Sequence, residues 1–148
     1  MAIALAGCVT QYRQPVKGAD SSKATFIATR QGKQVQDYWA WKDKACRKSE
    51  LLGRLAFFSI FNPEQKVVTL HPNEPIYSLV YVMSPSGTAE NLSTKSCTNY
   101  FTFTPEAAHE YRVRQIVENA HCRVEVLDTT TQSQANGFKE LDITPCER

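Results

Sequence analysis

The residues of this chain with the widest chemical range are its cysteines and its histidines, of which there are five and three. His109, His121 and Cys122 carry side chains that zinc prefers, but no Cys-x-x-Cys or His-x-x-x-His spacing accompanies them. His121 and Cys122 are also neighbours on a predicted strand, so their side chains diverge. No serine, histidine and aspartate set has a motif that marks a nucleophile. We therefore predict no catalytic residue, no metal and no cofactor, and a protein that is not an enzyme.

The first cysteine has a more specific context. Leu5-Ala6-Gly7-Cys8 places an aliphatic residue and two small residues directly before it. This stretch resembles the lipobox of bacterial lipoproteins. The resemblance implies a diacylglycerol on the Cys8 sulfur, cleavage before Cys8 and acylation of the new amine, so that several acyl chains anchor the protein stably. It also implies a location in the bacterial cell envelope, at the outer membrane and facing the periplasm.

The lipobox divides the chain into three predicted parts. Residues 1–7 are a residual signal peptide; because no basic region precedes them, we expect a natural start further upstream or a trimmed leader. Residues 8–23 are predicted to be the lipidated cysteine and a flexible tether, since this polar segment contains Pro15 and Gly18. Residues 24–148 are long enough for a single domain with one core, and the sequence has no apolar run of about 18 residues that could span a membrane.

Alternating polar and apolar residues predict strands throughout this domain. Residues 24–30 and 34–41 are predicted to form a hairpin that turns at Gly32. The segment Leu51–Phe61 fits either a helical stripe or a strand, and its aromatic content together with the stop at Asn62-Pro63 favours a buried strand over 54–61. Further strands are predicted at 66–70 and 76–83, with a turn at 71–75 between them. A polar loop is predicted at Ser84–Ser96 and a last edge strand at Phe138–Ile143.

Three period-two segments between Cys97 and Asp128 are joined by short turns and predict a meander of three neighbouring strands. Many short strands without a strong helix indicate a mostly β protein, an antiparallel β-sandwich with little helix. With the lipobox, this layout resembles small periplasmic lipoproteins with an immunoglobulin-like or transthyretin-like sandwich. That resemblance carries no functional residue to this chain.

Four cysteines remain once Cys8 is set aside as the lipid carrier, which allows two disulfides in three possible connectivities. Cys97 begins the first strand of the predicted meander and Cys122 the third, so both lie at the same end. Each also shares parity with the inward residues of its strand. We therefore predict disulfides between Cys97 and Cys122 and between Cys46 and Cys146.

Two classes of function compete at this stage. The first is a non-catalytic, lipid-anchored envelope protein that binds or scaffolds a partner through Tyr38, Trp39 and Trp41, because adjacent aromatic residues alternate sides and one core cannot take all of them. The alternative is a periplasmic inhibitor or immunity protein that blocks a lysozyme-like or toxic enzyme with the Ser84–Ser96 loop, which holds Ser86, Gly87 and Glu90. The formal net charge of +2 is too balanced for a nucleic-acid partner.

Overall fold

The computed structural model describes residues 10–29, 34–41, 49–57, 63–86, 93–118 and 121–141. Within them the chain forms strands and no helix. The strands are β1 (Ser22–Ile27), β2 (Gln34–Trp41), β3 (Glu50–Phe57), β4 (Gln65–Leu70), β5 (Ile76–Ser86), β6 (Ser93–Phe103), β7 (Glu110–Glu118), β8 (His121–Asp128), β9 (Ser133–Gln134) and β10 (Lys139–Leu141).

These strands form two sheets of five, and their inner faces make one core. The first sheet has the order β4-β1-β7-β8-β9 and the second the order β10-β6-β5-β2-β3. All strand pairs are antiparallel except β1 with β7, which is parallel. The prediction of a mostly β sandwich is confirmed.

Aromatic rings from opposite sheets meet in the core. Phe26 of β1 lies 4.8 Å from Tyr38 of β2, measured between ring centroids, and Phe103 of β6 lies 5.3 Å from Tyr111 of β7. All four residues are at most 2% exposed. Burying one such side chain stabilises the fold by about 1.5–3 kcal/mol, so these contacts are a large part of what holds the sheets together.

The predicted hairpin between the first two strands is wrong. β1 pairs with β4 and β7 in the first sheet, whereas β2 pairs with β3 and β5 in the second. The chain therefore crosses from one sheet to the other after β1. The physical reason is visible in Phe26 and Tyr38, which face each other across the core instead of lying side by side in one sheet.

The predicted meander is half right. β7 and β8 form the expected hairpin, but β6 lies in the second sheet beside β5 and β10. Cys97 and Cys122 nevertheless form a disulfide, with their Cα atoms 6.2 Å apart, and this is the predicted pair. Both cysteine side chains point into the sandwich from opposite sheets, so their sulfurs meet there and the bond joins the two sheets. Cys46 and Cys146 lie outside the described residues.

Other predicted elements keep their type and change their length. The described part of the segment Leu51–Phe61 is a strand and not a helix, because β3 runs from Glu50 to Phe57; it starts earlier than the predicted 54, and residues 58–61 lie outside the described part. The predicted loop Ser84–Ser96 is wrong at both ends, because β5 runs to Ser86 and β6 starts at Ser93; only 87–92 remain between them, outside the described residues. β10 occupies an edge of the second sheet, within the predicted Phe138–Ile143 strand.

The predicted flexible tether over residues 8–23 is wrong from Thr10 onward. The Leu51 amide donates to the Thr10 carbonyl at 2.8 Å, and the Tyr12 amide donates to the Leu51 carbonyl at 3.0 Å. The side-chain carbonyl of Gln14 accepts the amide of Thr69 at 2.8 Å, and the Tyr12 ring packs on the core. This N-terminal strap, residues 10–14, closes the corner between the edge strands β3 and β4. The folded domain therefore begins well before residue 24.

A buried polar network crosses the core near the disulfide. The Gln36 side-chain amide donates to Thr29 Oγ1 and to Gln115 Oε1, both at 2.9 Å, and the amide of Gln115 donates to Asn99 Oδ1 at 2.7 Å. Asn99 in turn donates to the Cys122 carbonyl at 2.9 Å. Because each of these amides has partners, they can lie among apolar residues without an unpaired polar group. The network fixes the two sheets in one relative position.

Candidate functional site

The outer faces of the two sheets have different chemistry. On the first sheet, Arg114 pairs with Glu125 at 3.0 Å and Lys23 approaches Glu110 at 4.0 Å. Arg114, Arg123 and Lys23 are exposed. Exposed pairs of this kind contribute at most about 1 kcal/mol each. This face is stable in water without a partner.

The outer face of the second sheet is aromatic. Strand register places Trp39 of β2 beside Leu79 of β5, and Leu79 beside Tyr100 of β6. The flanking rows place Trp41 beside Tyr77 and Asp37 beside Tyr81, and the last row pairs Val35 with Met83. We call this surface the aromatic face and define it by its five partly exposed members, which are Trp39, Tyr77, Leu79, Tyr81 and Tyr100.

The aromatic face continues into more open apolar surface at one end. Val35 and Met83, which are cross-strand partners, are each 43% exposed. At the side of the face, Arg54 of β3 donates from Nε to Asp37 Oδ1 at 2.8 Å and from a second nitrogen to Asp37 Oδ2 at 2.9 Å. This hydrogen-bonded pairing with Asp37 raises the pKa of Arg54. An apolar centre with a paired polar edge is the usual composition of a protein interface.

The three predicted partner-binding residues have different positions. Tyr38 is fully buried in the core, so the prediction that it contacts a partner is wrong; it points inward because its neighbours in the strand point outward. Burial raises the pKa of its hydroxyl. Trp41 is 9% exposed and stacks on Tyr100 with 6.5 Å between centroids, while Trp39 is the more exposed of the two tryptophans.

A cleft of about 480 Å³ lies at the end of the sandwich where β2 ends and β3 and β5 begin. Its walls come from the N-terminal strap, these strand ends and the turn between β4 and β5. The lining combines two aromatic rings with charged and apolar groups, namely Tyr12, Arg13, Ala40, Trp41, Glu50, Leu70, His71, Glu74, Pro75 and Ile76. Trp41 therefore belongs both to this cleft and to the border of the aromatic face.

Sequence reasoning missed a histidine–aspartate pair at the same end of the molecule. His109 Nδ1 lies 2.6 Å from Asp128 Oδ2, and Glu106 Oε2 lies 3.8 Å from the same nitrogen. Asp128 is 2% exposed, and its other oxygen accepts the amides of Thr130 and Thr131. The only hint in the sequence was that Asp128 ends a strand whose alternation would place it inward.

The hydrogen bond to Asp128 raises the pKa of His109 above its ordinary value, and the charge of Glu106 adds to the effect. Burial alone would raise the pKa of Asp128, but hydrogen bonds from His109 and from the amides of Thr131 and Thr130 bring it below its ordinary value. Both shifts favour the charged pair. The pair ties the turn before β7 to the turn after β8, which is a structural role.

Glu106, His109 and Asp128 are also a set that could hold a metal ion, since their ligand atoms all lie within 4.8 Å of one another. The 2.6 Å contact is the length of a hydrogen bond, so His109 and Asp128 already satisfy each other. The zinc set considered from the sequence is not brought together. Cys122 is in a disulfide, and His121 begins β8 whereas His109 lies beside the end of that strand.

The His109–Asp128 pair predicts a pH dependence of stability. Because the folded-state pKa of His109 is raised, its contribution is complete below the ordinary value of 6.5 and is lost as the pH rises through the folded-state pKa. Because the folded-state pKa of Asp128 is lowered, the contribution of Asp128 to stability is lost as the pH falls below its ordinary pKa of 3.8. The midpoint of thermal unfolding of His109→Gln should fall furthest below wild type near about pH 5, and the gap should narrow by about pH 8. His121→Gln is the control, and a gap that does not change with pH would contradict the assignment.

Comparisons with family models, with curated proteins and with solved structures find no match to this chain. In the part of the chain that the structure describes, there is no helix long and apolar enough to cross a membrane. Cys8, Gly87 and Glu90 lie outside the described residues.

Proposed function

We propose that this protein is a non-catalytic, lipid-anchored protein of the bacterial cell envelope that binds a partner protein through its aromatic face. The observation that carries the binding part is a difference between the two sheets: the first has ion pairs among its outward residues, whereas the second has four clustered aromatic rings. Contiguous apolar surface of this kind marks interaction sites on soluble domains. Aromatic residues also supply much of the energy in protein interfaces.

The anchor would fix the orientation of the domain. Thr10 is held against Leu51 at the cleft end, and Cys8 precedes Thr10 by two residues, a span of at most about 7 Å. An acylated Cys8 would therefore place the cleft end beside the bilayer. β5 has 11 residues and an extended rise of about 3.3 Å per residue, so its far end lies roughly 33 Å away. The aromatic face would then stand upright, accessible from the side.

Trp39→Ala tests the binding surface. We expect the variant to fold, as circular dichroism will show, and to lose capture of its envelope partner by about tenfold or more, because it removes a central ring of the interface. Arg114→Ala on the outer face of the first sheet is the matched control and should capture the partner as wild type does. If Trp39→Ala folds and captures the partner at full strength, the aromatic face is not the binding surface.

The inhibitor or immunity protein remains a second candidate because of one observation. β2 pairs with β5 as far as Val35 and Met83, while pairing between β5 and β6 continues through Ser84 with Lys95 to Ser86 with Ser93. In the described residues the pairing of β5 with β6 thus continues past the last pair of β2 with β5, and a projecting two-stranded arm would suit entry into an active-site cleft. Deleting residues 87–92 would abolish capture in this case and leave it intact if the aromatic face binds.

A further inference from the structure

The cleft at the anchor end has the charge and ring composition of a site for a zwitterion. Arg13 contributes one cation, and Glu50 and Glu74 contribute two carboxylates. Among the residues that the structure describes, none of the three forms an ion pair. The described lining therefore offers a ligand a guanidinium group and two carboxylates.

Two aromatic rings could bind the positive group of a ligand in the cleft. Trp41 and Tyr12 both line it, and the face of an aromatic ring attracts an ammonium group. Tyr12 is held in place by the Leu51 carbonyl and by an edge-on contact with His71, whose centroid lies 6.2 Å away. Burial raises the pKa of the Tyr12 hydroxyl, and the charges of Glu50 and Glu74 raise it further against a hydrogen bond to the His71 backbone.

The position of the cleft indicates where such a ligand comes from. The strap that lines it begins two residues after Cys8, and the polar layer of a bilayer leaflet is about 5–8 Å thick. Acyl chains on Cys8 would hold the mouth of the cleft within the depth of that layer. Tryptophan and tyrosine are also the residues that favour this depth, since one side of each ring is apolar and the other polar.

We propose that the cleft binds the headgroup of a membrane phospholipid that carries a primary ammonium and a phosphate diester. The ammonium lies between Trp41 and the carboxylates of Glu50 and Glu74, where its three hydrogens find acceptors. The phosphate faces Arg13. This inference rests on the proposed lipid anchor for the source of the ligand, and not on the partner that binds the aromatic face.

The test uses the full chain with Cys8→Ser, which stays in solution, and sn-glycero-3-phosphoethanolamine as the probe. The two indole N–H signals are followed by NMR, with assignment from Trp39→Phe. We expect a saturable shift of the Trp41 signal at millimolar probe and none of the Trp39 signal. sn-Glycero-3-phosphoglycerol, which lacks the ammonium, should cause no saturable shift. No shift with the first probe, or equal shifts with both, overturns the proposal.

A charge variant tests the assignment of the ammonium side. The double variant Glu50→Gln with Glu74→Gln should bind the probe about tenfold more weakly, because it removes both carboxylates from the ammonium. Glu118→Gln at the opposite end of β7 is the matched control and should bind as the parent does. If the double variant keeps its dispersed NMR spectrum and its affinity, the ammonium does not lie between these carboxylates and the proposal is wrong.

Membrane fractionation distinguishes a failure of the headgroup proposal from a failure of the proposed lipid anchor. Wild type is expected in the membrane fraction and Cys8→Ser outside it. If wild type is also found outside the membrane but the Trp41 shift is observed, the anchor is wrong and the ligand is a free zwitterion, which overturns the lipid source. If wild type is anchored and no shift occurs, the cleft is not a headgroup site, and the proposed function stands without it.

Discussion

Tyr38→Ala is expected to lower the free energy of unfolding by about 3–5 kcal/mol, the usual cost of truncating a large aromatic residue in a core. Tyr38 is fully buried, its ring lies 4.8 Å from that of Phe26 across the two sheets, and its hydroxyl donates to the Ile27 carbonyl at 3.2 Å. The variant removes both contacts and leaves a cavity between the sheets. Urea denaturation followed by circular dichroism measures the effect.

Two variants make this prediction specific. Tyr38→Phe keeps the ring and loses one hydrogen bond, so it should cost only about 0.5–1.5 kcal/mol. Trp39→Ala, one residue further along the strand, should change stability much less than Tyr38→Ala because its ring is partly exposed on the outer face. If Tyr38→Ala were as stable as Trp39→Ala, the assignment of inner and outer faces to β2 would be wrong.

Removing the disulfide with Cys97→Ala and Cys122→Ala together is expected to lower the free energy of unfolding by about 3.5 kcal/mol. The two cysteines are 25 residues apart, and closing a loop of this length removes conformational entropy from the unfolded chain, which raises the free energy of that state by about this amount. The bond also joins β6 of one sheet to β8 of the other. The double variant avoids a free thiol that could pair with another cysteine.

Peptide mapping without reduction is the control for this second prediction. It should recover Cys97 linked to Cys122 in the wild type. A double variant with wild-type stability would mean that the bond adds nothing to the buried polar network beside it. Recovery of Cys97 linked to Cys46 would contradict the strand placement directly.

The type of most elements could be predicted from alternation, whereas the sheet to which each strand belongs could not. Cys97 and Cys122 illustrate the difference, because inward parity was enough to pair them. Parity is the same whether two strands lie side by side in one sheet or face each other in two. The partnership of β6 with β5, and the crossing of the chain after β1, depend on long-range packing that no local pattern encodes.

A buried amide made it hard to predict from the sequence which residues of β2 point into the core. Gln36 is fully buried and Val35 is 43% exposed, the reverse of what hydrophobicity alone would indicate. Gln36 is stable inside because Thr29, seven residues before it, and Gln115, 79 residues after it, satisfy its amide. The aromatic cluster was visible in the sequence, but only the positions of these partners show that Tyr38 belongs to the core and Trp39 to the surface.

The N-terminal strap could not be predicted because its sequence is polar. Tyr12 is the one large ring in the strap, and the backbone hydrogen bonds of Thr10 and Tyr12 are made with Leu51 on the edge strand β3. Polar composition favours a flexible linker when no edge strand is available to pair with it. The same edge pairing holds residues 10–12 against β3.

The central claim is that the aromatic face of the second sheet is the functional surface of this molecule. In-cell photo-crosslinking tests it most directly, with benzoylphenylalanine placed at Leu79 at the centre of the aromatic face and, in a second strain, at Arg114 on the charged face. We expect a single discrete adduct from Leu79 and none from Arg114. An adduct from Arg114 with none from Leu79 would contradict the claim.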